Sequence, residues 1–442
     1  MLQVVDREQK RGSEAAPDRR RILIVNPIWP CSDHSVRAAN VVIYELVAEF
    51  ARRGGLKIGF LKLHAPADQV PNAAERAGMH ELAALGVEFL DPFVLATQPR
   101  RRARLSRWLV PEEADFYPET MLRPVAEKAA MAFRPDLVFV PWSETATSLF
   151  ADLPVAKFAY YGNPDAKPGL ARAAFARAHG GSWLSYARER FNLARLERIH
   201  LRNMRRYDYL GDVAANDACY YRRHGHPNAF YIRNLWIDRV GTAWRARSER
   251  ARTDPLVIVG NIGKLAATAN THGLEILSCD VLPELRRALA GRAFEVHVFG
   301  AGTPHPAVAR QLAAPEIRLR GFVDDIDGEL MTAPIFLCVN NAGRFKVGHT
   351  RYLHAWSLGC CVVAHRDAAL SMPEMVSGEN CLLGITAAEI ADMVAAVARD
   401  GALRRRLGEA GYATFVDKFT ARPVVDQILA RLGASVRLKE AS

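Results

Sequence analysis

The sequence predicts an α/β protein of two doubly wound parallel sheets in series, facing one another across a cleft. Three observations carry this. Short runs that are almost wholly apolar, such as 21–26 (RILIVN), 136–140 (DLVFV), 256–260 (LVIVG) and 335–339, mark strands buried on both faces of a sheet. Segments with apolar residues at helical spacing lie between them, and strand, helix, strand at this spacing is the parallel βαβ unit. The pattern restarts after a polar, basic stretch at 237–254, and 442 residues are too many for one core.

In chain order, residues 1–20 read as a disordered leader: they are polar and lack the apolar stretch of a signal peptide. After the strand 21–26 comes a loop with two prolines. Ala39, Val42, Ile43, Leu46, Val47 and Phe50 then recur at helical spacing until Gly54 and Gly55. Strands are expected at 56–63, 87–90, 136–140, 155–160 and 227–234. A helical region spans 169–206, broken at Gly180 and Gly181. The second half reads as strands at 256–260, 294–300, 317–320, 335–339, 361–364 and 381–383, with helices between them, one at 273–289. The expected domains are 21–240 and 255–420, with a last helix at 421–442 packing back across the junction.

Charge narrows the partners. Lys and Arg outnumber Asp and Glu by 59 to 48, a net +11 that favours phosphorylated substrates or an anionic membrane surface. The 169–206 segment holds nine arginines against two glutamates, 9 − 2 = +7. Arg100, Arg101, Arg102, Arg104 and Arg107 form a second basic cluster beside Leu105, Trp108 and Leu109. Both could touch anionic headgroups; no nucleic-acid-binding motif accompanies them. The seven cysteines form no CxxC pair and several sit in apolar runs, which points to reduced thiols in a cytoplasm and to no metal site. No run approaches the 18 apolar residues of a membrane span.

The stretch with most chemistry is 343–363. A glycine-bearing loop with Arg344, Lys346, His349 and Arg351 runs into an amphipathic helix that Gly359 ends, and apolar strands flank both. Strand, cationic loop and helix N-terminus together receive an anion, usually a phosphate.

Four motifs in order over the C-terminal half resemble the nucleotide-sugar glycosyltransferases of the two-Rossmann (GT-B) fold, especially the retaining family four (group 1). Residues 298–302 (VFGAG) resemble an apolar strand ending in Gly-x-Gly, and 317–324 (IRLRGFVD) a strand followed by Gly-x-Val-x-Asp. Residues 359–363 (GCCVV) are similar to Gly-x-Pro-Val-Val, and 373–383 (PEMVSGENCLL) to Pro-Glu-x-Val-x-(Asp/Gly)-Gly-x-Asn-Gly-Leu-Leu. The resemblance implies two Rossmann-like doubly wound domains around a central cleft and transfer of a hexose from a nucleotide sugar to a glycan or lipid-linked acceptor. The nucleotide sugar is then a co-substrate, and no further cofactor or metal is implied. Donor-side candidates are Lys264, Gly300, Gly302, Phe322, Val323, Arg344, Lys346, Thr350, Arg351, His354 and Glu374. The two glycines admit a close backbone approach, groups around Phe322 and Val323 bracket the base, and the cations balance the leaving diphosphate. Acceptor-side candidates are Ser32, Asp33, His34, Arg37 and Glu144. No catalytic base is identified.

Two departures stand out. The family commonly shows two glutamates eight positions apart here, the second on the donor ribose; this chain has Lys346 and His354. A histidine can still bond a ribose hydroxyl, yet it carries no fixed negative charge. That leaves a second reading, a catalytically silent GT-B protein that binds a nucleotide sugar or a partner transferase. A third, a two-lobed solute-binding protein, fits the 373–383 motif poorly.

Overall fold

The computed structural model describes residues 20–33, 38–64, 70–95, 122–164, 166–248, 254–343 and 350–440. The leader 1–19, the arginine cluster at 100–107 and the candidates His34, Arg37, Arg344 and Lys346, with His349, lie outside them.

The first sheet contains β1 (Arg20–Asn26), β2 (Leu56–His64), β3 (Glu88–Phe89), β4 (Phe93–Val94), β5 (Leu137–Pro141), β6 (Ala156–Tyr161), β7 (Tyr209–Asp212) and β8 (Ala229–Tyr231). Their order is β3-β2-β1-β5-β6-β7-β8, with β4 beside β2, and every pairing is parallel. The second contains β9 (Leu256–Asn261), β10 (Phe294–Phe299), β11 (Ile317–Gly321), β12 (Ile335–Cys338), β13 (Cys361–His365) and β14 (Leu382–Gly384), ordered β11-β10-β9-β12-β13-β14 and again all parallel. The strands are apolar throughout because both faces are covered. In β1, Ile22 and Ile24 enter one core while Leu23 and Val25 enter another on the opposite face. In β9, Val257 and Val259 divide in the same way from Leu256 and Ile258.

Strand order reverses between β1 and β5 in one sheet and between β9 and β12 in the other. Loops leaving neighbouring strands diverge at such switch points and open a crevice.

Several elements differ from the sequence reading. β7 is an additional strand: Asp208, Gly211 and Asp212 give 207–213 a polar look, yet a Cβ on Gly211 would lie 2.2 Å from Ile232, so the strand packs without a side chain there. β4 is likewise additional. The helical region 169–206 does break at Gly180 and Gly181 as expected, into Ala166–Ala178 and Trp183–Met204. The helix expected at 273–289 begins earlier, as Thr268–Ile276, and continues through a π-turn, Leu277–Val281, into Leu282–Ala288. Within the 237–254 stretch, Trp244 is buried and lies against Gly359.

Among the described residues the two units are joined at several places. Helix Ala421–Glu440 lies along helix Ala38–Arg52, where Arg53 pairs with Asp426 at 2.8 Å and Val424, Val425 and Ile428 are buried. Beside it, Trp236 N–H donates to the Phe419 carbonyl at 2.9 Å, and one continuous apolar cluster contains residues of both units. On the other side, Phe175 and His179 at the end of helix Ala166–Ala178 meet His305 and Glu275, with His179 Nε2 2.7 Å from Glu275 Oε1. Burial opposes the charge on His179, but the Phe175 carbonyl, first, and Glu275 raise its pKa.

Candidate active site

The carboxyl edge of the second sheet gathers most of the donor-side candidates. Lys264 follows β9, Gly300 and Gly302 follow β10, Phe322 and Val323 follow β11, and the loop after β12 leads to helix Thr350–Ser357, whose first two residues are Thr350 and Arg351. The turns are bonded to one another. Gly300 N–H donates to the Gly321 carbonyl at 2.8 Å and Leu265 N–H to the Ala301 carbonyl at 3.1 Å. Asn270 Nδ2 donates to the Lys264 carbonyl at 2.7 Å, and Asn340 Nδ2 to Asn270 Oδ1 at 2.9 Å. The loops leaving β9 and β12 are thus stitched together at the switch point. Phe322, 75% exposed, stands on the rim as an open aromatic face.

Arg351 carries the clearest sign of an anion site. Its Nη1 is buried and has no hydrogen-bond partner among the described residues. A buried guanidinium N–H without an acceptor is costly, and charge at a helix N-terminus favours an anion. Gly359 fixes the far end of the helix: its φ is +65°, Gly359 N–H donates to the Trp356 carbonyl and Cys360 N–H to that of Ala355, the Schellman arrangement. The exposed Lys264 sits across the switch point from it.

His354 is otherwise engaged. Its Nε2 lies 2.6 Å from Asp327 Oδ1, Trp236 packs on the ring at 5.4 Å, and Arg239 reaches the same carboxylate at 3.4 Å. Burial pushes the Asp327 carboxyl up, but His354 and then Arg239 bring it below its usual value. The stability this carboxylate contributes is present above the ordinary aspartate range and is lost as pH falls through the depressed folded value. A carboxylate therefore does stand beside position 354, delivered by a neighbouring helix. Glu374 is also committed: Tyr231 Oη donates to it at 2.9 Å and Arg233 Nε at 2.8 Å, so it clasps the two units together.

On the first sheet, Ser32 and Asp33 follow β1, and Glu144 opens the helix Glu144–Leu149 after β5, so the described acceptor-side candidates flank the other switch point. Sequence reasoning missed Trp142 between them. The residue is half-buried and has φ +47°, a region that bulky side chains avoid. Only its aromatic character next to a strand end was visible in the sequence.

Two doubly wound parallel sheets in series, the second with a strand, loop and helix at its switch point, have the two-domain arrangement of the GT-B fold. Residues 257–400 match the family model described as Glycosyl transferases group 1. Sucrose-phosphate synthase of Thermosynechococcus elongatus has the same fold at a TM-score of 0.61 and 14% identity, over 96% of this chain and 100% of that one. Anabaena Alr3699/HepE, solved with UDP and glucose, superposes at 0.57 with 13% identity, over 94% and 100%. The N-terminal domain of Candida albicans trehalose-6-phosphate phosphatase does so at 0.57 with 10% identity, over 96% and 99%. No curated protein matches the chain in sequence.

Proposed function

We propose that the protein transfers a hexose from a nucleoside-diphosphate sugar to a glycan or lipid-linked acceptor, with retention of configuration and without a metal. The observation that carries this is the Arg351 Nη1 at a helix N-terminus, buried and without a partner among the described residues, on the edge that also presents Lys264 and the Gly300 turn. These groups supply positive charge where the diphosphate leaves, the task a metal would otherwise perform. The UDP bound in the Anabaena structure supports a uridine diphosphate as the first nucleotide to test. Thermal shift with UDP, GDP, ADP and CDP is the direct experiment. A ligand at 100 times its Kd stabilises by about 2.7 kcal/mol, and raises Tm by roughly 5 °C or more for units of this size. No shift with any of the four would remove the reading.

The commitment of His354 to Asp327 favours the second reading, binding without turnover. Release of free sugar or a glycosylated product from a nucleotide sugar, in a preparation that passes the thermal-shift test, decides against it.

We also place the work in the cytoplasm, at an anionic membrane face. Among the described residues no helix is long and apolar enough to cross a membrane. Helix Trp183–Met204 nevertheless exposes Trp183 by 64%, Leu184 by 74% and Phe191 by 61%. Helical spacing puts Leu184 and Phe191 on one stripe with Arg198 and Arg202, both exposed, while Leu193, Leu196, Leu201 and Met204 face the protein. Apolar insertion combined with arginine–headgroup attraction, about 1 kcal/mol per cation, suits a lipid surface. The triple variant W183S/L184S/F191S is expected to keep the parent's Tm and to lose at least tenfold in co-flotation with phosphatidylglycerol vesicles. Parent binding should fall as salt shortens the screening length. Equal flotation of parent and variant, or salt-insensitive binding to neutral vesicles, removes this part of the proposal.

A further inference from the structure

We propose that Trp142 is the stacking platform for a pyranose ring of the acceptor. This rests on the transferase reading and sharpens it: the acceptor presents a sugar ring to the first domain, not only a lipid phosphate or a simple alcohol.

The backbone supplies the first argument. Two non-glycine residues among those described have positive φ, Arg134 at 51° and Trp142 at 47°. Arg134 lies just past the end of helix Arg123–Met131, where a left-handed residue is ordinary. Trp142 has no such excuse. It follows directly on β5, and strain of this kind persists only where the surroundings hold it. They do so here. Trp142 N–H donates to the Tyr160 carbonyl at 2.7 Å, and Asn26 Nδ2 donates to the Pro141 carbonyl at 2.6 Å. Ser143 is fixed in turn, its hydroxyl capping the next helix through Ala146 N–H at 3.1 Å.

Position is the second argument. β5 adjoins β1 where the strand order reverses, so Trp142 stands at the carboxyl end of the sheet's switch point, between the loop of Ser32 and Asp33 and the helix of Glu144.

The ring is the third. The indole rests on Tyr160 with centroids 5.0 Å apart, which fixes its plane. Gly162 follows the end of the next strand, and even a Cβ there would come no nearer to the indole than 4.0 Å, so that flank is uncrowded. Trp29, Trp244 and Trp356 each have an indole N–H that is buried and without a partner among the described residues, whereas the half-buried Trp142 is not one of that group. A rigid aromatic face that carries an N–H donor matches a pyranose, whose C–H face stacks on the ring while a hydroxyl accepts the hydrogen bond.

The test uses the full-length protein labelled with ¹⁵N. Its seven tryptophans give seven indole N–H signals, and Trp142→Phe assigns one of them. Titration with methyl α-glucopyranoside and methyl α-mannopyranoside is expected to move the Trp142 signal selectively, and the acyclic polyol mannitol is expected not to. Trp142→Gly loses the indole's packing on Tyr160 but relieves the positive φ, so its melt is read first to select conditions in which the variant is folded. It should keep the nucleoside-diphosphate thermal shift and raise the KM for a glycan acceptor at least tenfold. A Trp142 signal unmoved by both pyranosides, or one that moves equally with mannitol, overturns the inference. So does a Trp142→Gly variant with the parent's KM. Failure of the transferase reading shows separately, as a parent protein that turns over no nucleotide sugar at all.

Discussion

Arg351→Ala is expected to weaken nucleoside-diphosphate binding ten- to a hundredfold. A hydrogen bond between a charged pair contributes about 1.5–3 kcal/mol, and every 1.4 kcal/mol is about a factor of ten. The buried Nη1 has no acceptor among the described residues, so in the apo protein that N–H group contributes desolvation cost without return. Its removal should therefore leave the apo Tm unchanged or slightly raised, while calorimetry with UDP shows the loss. A structural arginine would give the reverse: a lower apo Tm and intact affinity. The conservative Arg351→Lys should recover part of the binding, since charge returns without the planar fork. If Arg351→Ala folds and binds as the parent does, the diphosphate lies elsewhere.

Gly300→Ala is expected to damage fold and site together. The residue has φ +152°, and an added Cβ would lie 1.9 Å from the Gly263 carbonyl oxygen and 2.7 Å from its carbon. Those are backbone atoms of the neighbouring donor turn, so nothing can swing aside. Forcing them apart should cost about 1–3 kcal/mol or more, and should displace the turn that carries Lys264. Gly302→Ala is the control. Gly302 has φ +89° with open space around it, so its substitution meets only the left-handed backbone penalty, about 1–2 kcal/mol. Denaturant melts of the two variants, paired with UDP calorimetry, separate the effects. Equal loss of stability and equal retention of affinity would mean that the close approach of the two turns is unimportant.

The architecture was legible because parallel strands buried on both faces leave an unmistakable run of apolar residues, as in 22–25 and 256–259. What escaped were elements whose stability comes from elsewhere. β7 carries Gly211 and Asp212, and its place in the sheet follows from the fit of Gly211 against Ile232 rather than from its own hydrophobicity. The donor loops were legible through glycine spacing and cationic side chains, which are local features. The partners of His354 and Glu374 were not. Asp327 lies 27 residues before His354, and Tyr231 lies 143 before Glu374; only the folded chain brings each pair within hydrogen-bond distance. Trp142 escaped for a different reason: a backbone angle leaves no trace in residue type unless the residue is glycine.

The last helix, Ala421–Glu440, has a consequence for anyone who would divide this protein. It leaves the second unit after Phe419 and spends its length on helix Ala38–Arg52 of the first, so sequence order and spatial membership disagree. A fragment cut at residue 240 would bare the apolar groove where Val424, Val425 and Ile428 lie, and a fragment begun at 255 would carry those same side chains with nothing to cover them. Either piece would present a sticky flank of its own making, and mixing the two would restore a non-covalent seam instead of a hinge. The last helix staples the second unit to the first, so neither can be owned separately.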